Sequence, residues 1–161
     1  MDPGRRKLLQ AGGAVIALSP ALALGAGGAV VAAASERADA TESAFASAEI
    51  DAAIGLLGWG KAIASAAVQF AEPTQDVAEN GDAVSVAVTS SVAGTTAIAL
   101  LVEKNSRVLA AVFNIGPGTE AFVSTRLKFS ESSRVVAVAR AQGAAYFAGR
   151  SIAVTQCGCS A

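Results

Sequence analysis

Apolar and polar positions follow a helical period near the start of the folded region and a strand period after it. Over residues 43–57 apolar residues recur at helical spacing among alanines, which predicts one short amphipathic helix. These apolar residues are Phe45, Ile50, Ile54 and Leu57. The Gly58-Trp59-Gly60 step is predicted to end the helix, with Trp59 either covering the core or meeting a partner.

Beyond Lys61 the apolar positions alternate with polar ones, as in half-buried strands. The predicted strands are 66–70, 83–89, 96–102, 108–115, 121–129, 133–141, 144–147 and 151–155. Turn-forming residues separate them at Glu79-Asn80-Gly81-Asp82, Lys104-Asn105-Ser106, Gly116-Pro117-Gly118 and Gln142-Gly143. Short strands with turns roughly every 8 to 12 residues predict an all-β domain, an immunoglobulin-like antiparallel β-sandwich with a short N-terminal helix.

The first 34 residues have the pattern of an export signal. Arg5-Arg6-Lys7 precedes a weakly hydrophobic alanine and glycine run, and Ala32-Ala33-Ala34 offers a cleavage site. The run is long enough to cross a bilayer of about 30 Å, but its glycines and Pro20 disfavour a stable spanning helix. We expect a twin-arginine-type signal over 1–34, removed on export to the periplasm. A sandwich domain over 35–155 and a C-terminal arm over 156–161 would remain, with no membrane attachment.

Charge and composition exclude several classes of function. Loss of the signal would shift the formal net charge from −1 to −3, so no nucleic-acid surface is expected. The chain contains no histidine. Serine and cysteine nucleophiles therefore have no imidazole base, and zinc and haem have no imidazole ligand. No acidic pair stands out as a general acid and base.

Both cysteines lie in the last five residues, Cys157-Gly158-Cys159-Ser160-Ala161. Small residues surround them outside any periodic segment, where a core cysteine is not expected. A disulfide between them would close a tiny ring and remove little unfolded-chain entropy. A tetrahedral metal site needs four ligands, so only two-coordinate Cu(I), or a site completed by another chain, fits two thiolates.

Covalent carriage or thiol redox is the third interpretation of this tail. Nucleophilic chemistry needs a thiolate, yet no cation is nearer in sequence than Arg150. The thiols are therefore expected to stay mostly protonated at neutral pH until a partner supplies a positive field. This suits a carrier better than a free-standing catalyst, so no catalytic or metal-binding residue is assigned. From the residues alone, carriage or redox, a disulfide and periplasmic Cu(I) binding all stay open.

The chain resembles the SoxY family, the sulfur carrier subunit of the Sox thiosulfate-oxidation system. The resemblance runs from about Ala48 to the end of the chain, and the twin-arginine signal fits it. The matching segments occur in the family's order and spacing. They are Glu79-Asn80-Gly81, Glu103-Lys104-Asn105, Val123-Ser124-Thr125-Arg126-Leu127, Val135-Val136-Ala137-Val138-Ala139, and Val154-Thr155 before the cysteine-bearing tail.

The family's tail reads Gly-Gly-Cys-Gly-Gly, and its cysteine binds sulfur intermediates covalently. Placing Val154-Thr155 on the corresponding pair puts Cys159 on the carrier position and Gly158 on the second glycine. Ser160 and Ala161 replace the last two glycines and complete the expected flexible arm with Gly158. The resemblance implies no catalysis by this chain, and no cofactor other than the sulfur species on Cys159.

The resemblance also implies partners and a reaction sequence. The family forms a heterodimer with a second small β-protein, SoxZ. A haem protein attaches thiosulfate oxidatively as a Cys-S-sulfonate adduct, and a hydrolase then releases sulfate. Cys157 departs from the family glycine. One hypothesis makes it a resolving thiol that displaces the adduct or bridges to Cys159, and the alternative is exchange of glycine for another small residue.

Overall fold

Two β-sheets and two short helices form the part of the chain that the computed structural model describes, residues 38–156. The helices are α1, described over 38–46, and α2 (Ile50–Leu56). A short 3-10 turn covers Gly81–Ala83. The strands are β1 (Ala62–Ala64), β2 (Val68–Ala71), β3 (Val77–Asn80), β4 (Val84–Ser90), β5 (Thr95–Val102), β6 (Leu109–Asn114), β7 (Phe122–Leu127), β8 (Ser133–Ala141) and β9 (Ala144–Gln156).

The strands form the β-sandwich expected from the sequence. The larger, six-stranded sheet has the order β1-β9-β8-β5-β6, with β3 also paired to β9, and the smaller has the order β2-β4-β7. The β8–β9, β5–β8, β5–β6, β2–β4 and β4–β7 pairings are antiparallel. Within residues 38–156, β1 and β3 instead pair with β9 in parallel, which the sequence does not indicate.

Both faces of the larger sheet are buried. One face of β5 packs against the smaller sheet, and its other face packs against the helices. The face toward the smaller sheet carries Ile98, Leu100 and Val102, and the face toward the helices carries Ala97, Ala99 and Leu101. Burial on both sides explains why β5 and β8 are nearly continuous apolar runs rather than alternating ones. The helices thus add a third layer.

The single helix predicted over 43–57 is in fact two helices, separated at Ser47. The Ser47 hydroxyl accepts a hydrogen bond from the Glu49 N–H at 3.2 Å and donates one to the Glu49 carbonyl at 3.1 Å. The Ser47 carbonyl accepts the Val108 N–H at 3.0 Å. A serine that bonds to nearby backbone competes with helical hydrogen bonding. The chain therefore turns here, and α2 begins afresh at Ile50.

The predicted end of the helix at Gly58 is confirmed. Gly58 has φ of +69°, and its N–H donates to Gly55, while the Trp59 N–H donates to Ile54. This pair of bonds is a Schellman motif, which favours glycine at the left-handed position. The turn brings Trp59, only 6% exposed, into the cluster that contains Ile54. Trp59 is therefore a core residue.

Several strand boundaries differ from those expected. The two strands predicted over 144–147 and 151–155 are one strand, β9, which continues through Gly149 and Arg150. The turn predicted at Glu79-Asn80-Gly81-Asp82 is the end of β3 followed by the 3-10 turn. The strand predicted over 121–129 ends at Leu127, whereas β8 has the predicted bounds.

Candidate functional site

β9 runs past its neighbour β8 at the end of the chain where the cysteines follow. The last β8–β9 pair is Ser133 with Ile152. Residues 153–156, which we call the β9 extension, lie beside β3 in parallel, from the Val77–Ala153 pair to the Asn80–Gln156 pair. Gln156, assigned to the arm from the sequence, is thus the last residue of the strand.

Backbone and hydroxyl hydrogen bonds fix the β9 extension on both of its sides. On the β3 side, the Ala153 N–H donates to the Asp76 carbonyl at 2.8 Å, and the Thr155 hydroxyl donates to the Glu79 carbonyl at 3.2 Å. On the β8 side, the Ser132 hydroxyl accepts from the Val154 N–H at 2.8 Å and donates to the Val154 carbonyl at 3.4 Å. The extension is therefore part of the folded domain.

An ion pair joins β9 to the segment that leads into β3. Arg150 Nε donates to Asp76 Oδ1 at 2.7 Å. The hydrogen bond from Arg150, and then its positive charge, lower the pKa of Asp76 below its usual value, since the carboxylate form is the one they stabilise. The pair also occupies Arg150, the cation nearest in sequence to the cysteines.

The loop between β7 and β8, residues 128–132, packs beside the β9 extension. Asn105, from the turn after β5, donates through Nδ2 to the Lys128 carbonyl at 2.8 Å and accepts the Ser130 N–H at 3.0 Å through Oδ1. The N–H of Phe129, whose side chain is fully buried, donates to the Gly81 carbonyl at 2.7 Å. The loop that carries Ser132 is thereby held from two directions.

The structure brings together three segments that carried the family resemblance. Glu79-Asn80-Gly81 lies against the β9 extension, Glu103-Lys104-Asn105 holds the 128–132 loop, and Val154-Thr155 is the extension itself. They converge at the end of the β9 extension, and none of them carries catalytic chemistry. The predicted site residues themselves lie outside the described residues. These are Cys157, Gly158, Cys159, Ser160 and Ala161.

Basic side chains around this point are paired with carboxylates. Lys128 Nζ lies 3.2 Å from Asp82 Oδ1, and Lys104 Nζ lies 3.5 Å from Glu131 Oε1. Together with the Arg150 pair, these contacts neutralise three cations near the start of the arm. Such exposed pairs contribute little to stability, but they leave no strong positive field from these three residues.

Sequence reasoning missed Ser132 and Asp76. Neither lies in a recognisable motif, and each acts on a segment more than twenty residues away. No signal in the sequence marked them, because only the observed length of β9 shows that it outlasts β8 and needs other hydrogen-bond partners. Among the described residues, no group of three His, Cys, Asp or Glu side chains is arranged to hold a metal ion.

The family model described as sulfur oxidation protein SoxY matches residues 56–159. The chain belongs to the SoxY family. The match runs from the end of α2 through β9 to Cys159. SoxY membership gives this chain a carrier role in sulfur oxidation, and it confirms the expectation that the protein is not an enzyme.

One solved structure supports the same assignment. The sulfur carrier protein SoxY from Chlorobium limicola f thiosulfatophilum is similar at 31% identity and a TM-score of 0.59, over 70% of this chain and 97% of its own. An engineered protein (11% identity, TM-score 0.40, 55% of this chain and 20% of its own) is less similar. So is an AA10 lytic polysaccharide monooxygenase from Streptomyces lividans (16%, 0.38, 49% and 58%). A comparison with curated proteins finds no match.

In residues 38–156, neither helix is long and apolar enough to cross a membrane.

Proposed function

We propose that this SoxY protein is a periplasmic carrier that holds thiosulfate-derived sulfur covalently on Cys159 and presents it to other proteins of sulfur oxidation. The observation that carries the proposal is that the family match extends to Cys159, directly beyond a strand fixed up to Gln156. Cys159 is three residues past Gln156, at most about 10 Å of extended chain. That reach suits a thiol that enters a partner's site while the domain stays outside.

The chemistry proposed for Cys159 consists of two steps. In the first, the Cys159 thiol and thiosulfate join through a new S–S bond. A haem-containing partner accepts the two electrons that this oxidation releases, and the thiol proton is lost. The product carries Cys–S–S–SO3⁻. In the second, a hydrolytic partner adds water to the sulfonate sulfur, which releases sulfate and two protons and leaves a persulfide, Cys–S–S⁻. This chain supplies the attachment point in both steps.

The charges around the arm base, by which we mean the end of the β9 extension at Gln156, favour activation of the thiol by a partner. A thiol attacks or is oxidised most readily as its thiolate, which neighbouring cations stabilise. Lys104, Lys128 and Arg150 each face a carboxylate instead. A partner that provides the positive field would activate Cys159 only inside its own site, which protects the thiol elsewhere. We propose a SoxZ-like subunit as the stable partner, and the haem-containing and hydrolytic Sox enzymes as transient ones.

Cys157 is proposed to act as a resolving thiol for Cys159. Attack of the Cys157 thiolate on Sγ of Cys159 would form a Cys157–Cys159 disulfide and break the bond from Sγ to the bound sulfur, so that the sulfur species leaves as an anion. A reductant, such as a dithiol protein, would then restore both thiols. If Cys157→Gly leaves loading and unloading unchanged, Cys157 is only a small residue in place of the family glycine.

Export is proposed to follow the twin-arginine route. Arg5-Arg6 and the cleavage site at Ala32-Ala33-Ala34 support it, and thiosulfate carriage needs contact with exported haem proteins.

The deciding experiment is intact-mass spectrometry of the mature protein isolated from the periplasm of cells grown on thiosulfate, before and after reduction. We expect loss of the signal and reducible added masses that match sulfane sulfur or thiosulfonate. These masses should be absent from Cys159→Ser and present in the matched variant Cys157→Gly. A wild-type mass only two hydrogens light, with no adduct, would instead indicate a Cys157–Cys159 disulfide. Copper retained on the purified protein would indicate the Cu(I)-binding alternative.

A further inference from the structure

Among residues 38–156, the β9 extension has a strand on one side only. β3 lies along that side, whereas β8 begins at Ser133, opposite Ile152, two residues before Val154. A backbone N–H and carbonyl left without partners at this point would cost free energy. The Ser132 hydroxyl satisfies both groups of Val154, at 2.8 Å to its nitrogen and 3.4 Å to its oxygen. One side chain thus provides the two backbone hydrogen bonds of Val154 that a neighbouring strand would otherwise make.

We propose that Ser132 is a positioning residue for the carrier arm, because it fixes the point at which the arm leaves the sheet. The proposal deepens the proposed function, on which its consequence for sulfur loading rests. The clamp itself is a property of the folded domain and can be tested without sulfur.

Loss of the Ser132 hydroxyl would lengthen the segment between the sheet and Cys159. With Val154 held, pairing reaches Gln156, and Cys159, three residues further, is at most about 10 Å away along extended chain. If residues 153–156 separate from the sheet, four more residues join the arm, and the reach grows by about 13 Å. A longer arm places its thiol over a larger volume, so the thiol spends less time where a partner site requires it.

Ser132 is well placed for this role because its own loop is fixed independently. Asn105 bonds both Lys128 and Ser130, and the Glu131 side chain pairs with Lys104. The adjacent Ser133 hydroxyl accepts the Lys104 N–H at 3.0 Å. A hydroxyl mounted on a held loop can position a strand end, whereas one on an unsupported loop would move with it.

The test compares Ser132→Ala with the conservative variant Ser132→Thr, which keeps a hydroxyl. Ser130→Ala is the matched control, since Ser130 contributes its backbone N–H rather than its side chain. Amide hydrogen–deuterium exchange at Val154 should be about five- to tenfold faster in Ser132→Ala, the change expected for one hydrogen bond. Exchange at Val138, inside β8, should not change. Ser132→Thr should restore protection at Val154, and Ser130→Ala should not alter it.

Pulsed electron paramagnetic resonance reports on the arm itself. Spin labels on Cys159 and on a cysteine introduced at Ser124, an exposed position of β7, give a distance distribution in a Cys157→Gly background. Ser132→Ala should broaden this distribution and extend its upper limit. Partner-dependent loading should fall several-fold, while the rate of alkylation of Cys159 by iodoacetamide, which depends on the thiol alone, should stay the same.

An unchanged Val154 exchange rate or an unchanged distance distribution in Ser132→Ala would overturn the proposal. Faster exchange and a broader distribution with normal loading would reduce Ser132 to a structural residue and overturn its positioning role. Failure of the wild-type protein to acquire sulfur at all would contradict the proposed function instead, and the exchange and distance measurements would still decide whether the clamp exists.

Discussion

Asp76 connects the start of β3 to β9 through two different groups. Its carboxylate accepts from Arg150, and its backbone carbonyl accepts from the Ala153 N–H at 2.8 Å. The ion pair therefore holds the residue whose carbonyl begins the pairing of β3 with the β9 extension. Its effect on global stability is expected to be small, since the Asp76 side chain is 74% exposed, but its effect on local order should be measurable.

The lowered pKa of Asp76 predicts a pH dependence of this local order. The carboxylate form is favoured in the folded state, so the stabilisation is present above the ordinary pKa of 3.8 and is lost as pH falls through the lowered value. We expect the Ala153 amide to exchange faster in Asp76→Asn than in the wild type at pH 7. The ratio should approach one in strong acid, where Asp76 is protonated in both the folded and unfolded chains.

The control for this prediction is Asp82→Asn, which removes the other aspartate ion pair near the arm base, that with Lys128. Exchange at Ala153 should be insensitive to it at every pH. Equal exchange rates in the wild type and Asp76→Asn at pH 7 would show that the backbone bond does not need the ion pair.

At the scale of elements, β9 organises the larger sheet because it pairs with β8 on one side and with β1 and β3 on the other. Its length could not be predicted from the sequence, since Gly149 and Arg150 resemble a break. Gly149 is tolerated because the guanidinium of Arg134 lies over it, where a Cβ would be 2.7 Å from Arg134 Cζ. β1 and β3 were missed because three or four residues show no period, and their partner is distant in sequence.

The helical layer was predicted only as a single helix of unstated role. The side chains of α2 show what it contributes, because Ile54 is 3% exposed in the cluster with Trp59, while Leu56 is 43% exposed. We expect Ile54→Ala to lower the free energy of unfolding by about 2 to 4 kcal/mol, through lost burial and a residual cavity. Leu56→Ala, on the same helix, should cost less than about 1 kcal/mol.

Chemical denaturation of the two variants, followed by circular dichroism, measures this difference. A single transition for Ile54→Ala, shifted to lower denaturant, is expected because β5 and β8 belong to both clusters. A separate early transition that leaves the sheets folded would mean that the helical layer is an independent unit.

At the scale of the whole molecule, the core described in β9 ends shortly before the cysteines. The last core residue of β9 is Val154, 9% exposed, five residues before Cys159. The sandwich, the bounds of β8 and the end of α2 followed from local patterns. The convergence of three distant motifs at the arm base could not be predicted in this way. It depends on parallel strand pairing and on loop contacts, which leave no periodic pattern in the sequence.

Two truncations of the mature protein test this separation of domain and arm. Ending the chain at Gln156 should leave the free energy of unfolding unchanged within about 0.5 kcal/mol, because every pairing of β9 is retained. Ending it at Ile152 removes Val154 from the core and leaves Ser132 and β3 without partners, which should cost about 2 to 4 kcal/mol. Neither truncated protein should acquire sulfur, although the protein that ends at Gln156 should keep its full stability. Destabilisation by the shorter deletion would mean that residues after Gln156 contribute to folding, and the arm would then be part of the domain it serves.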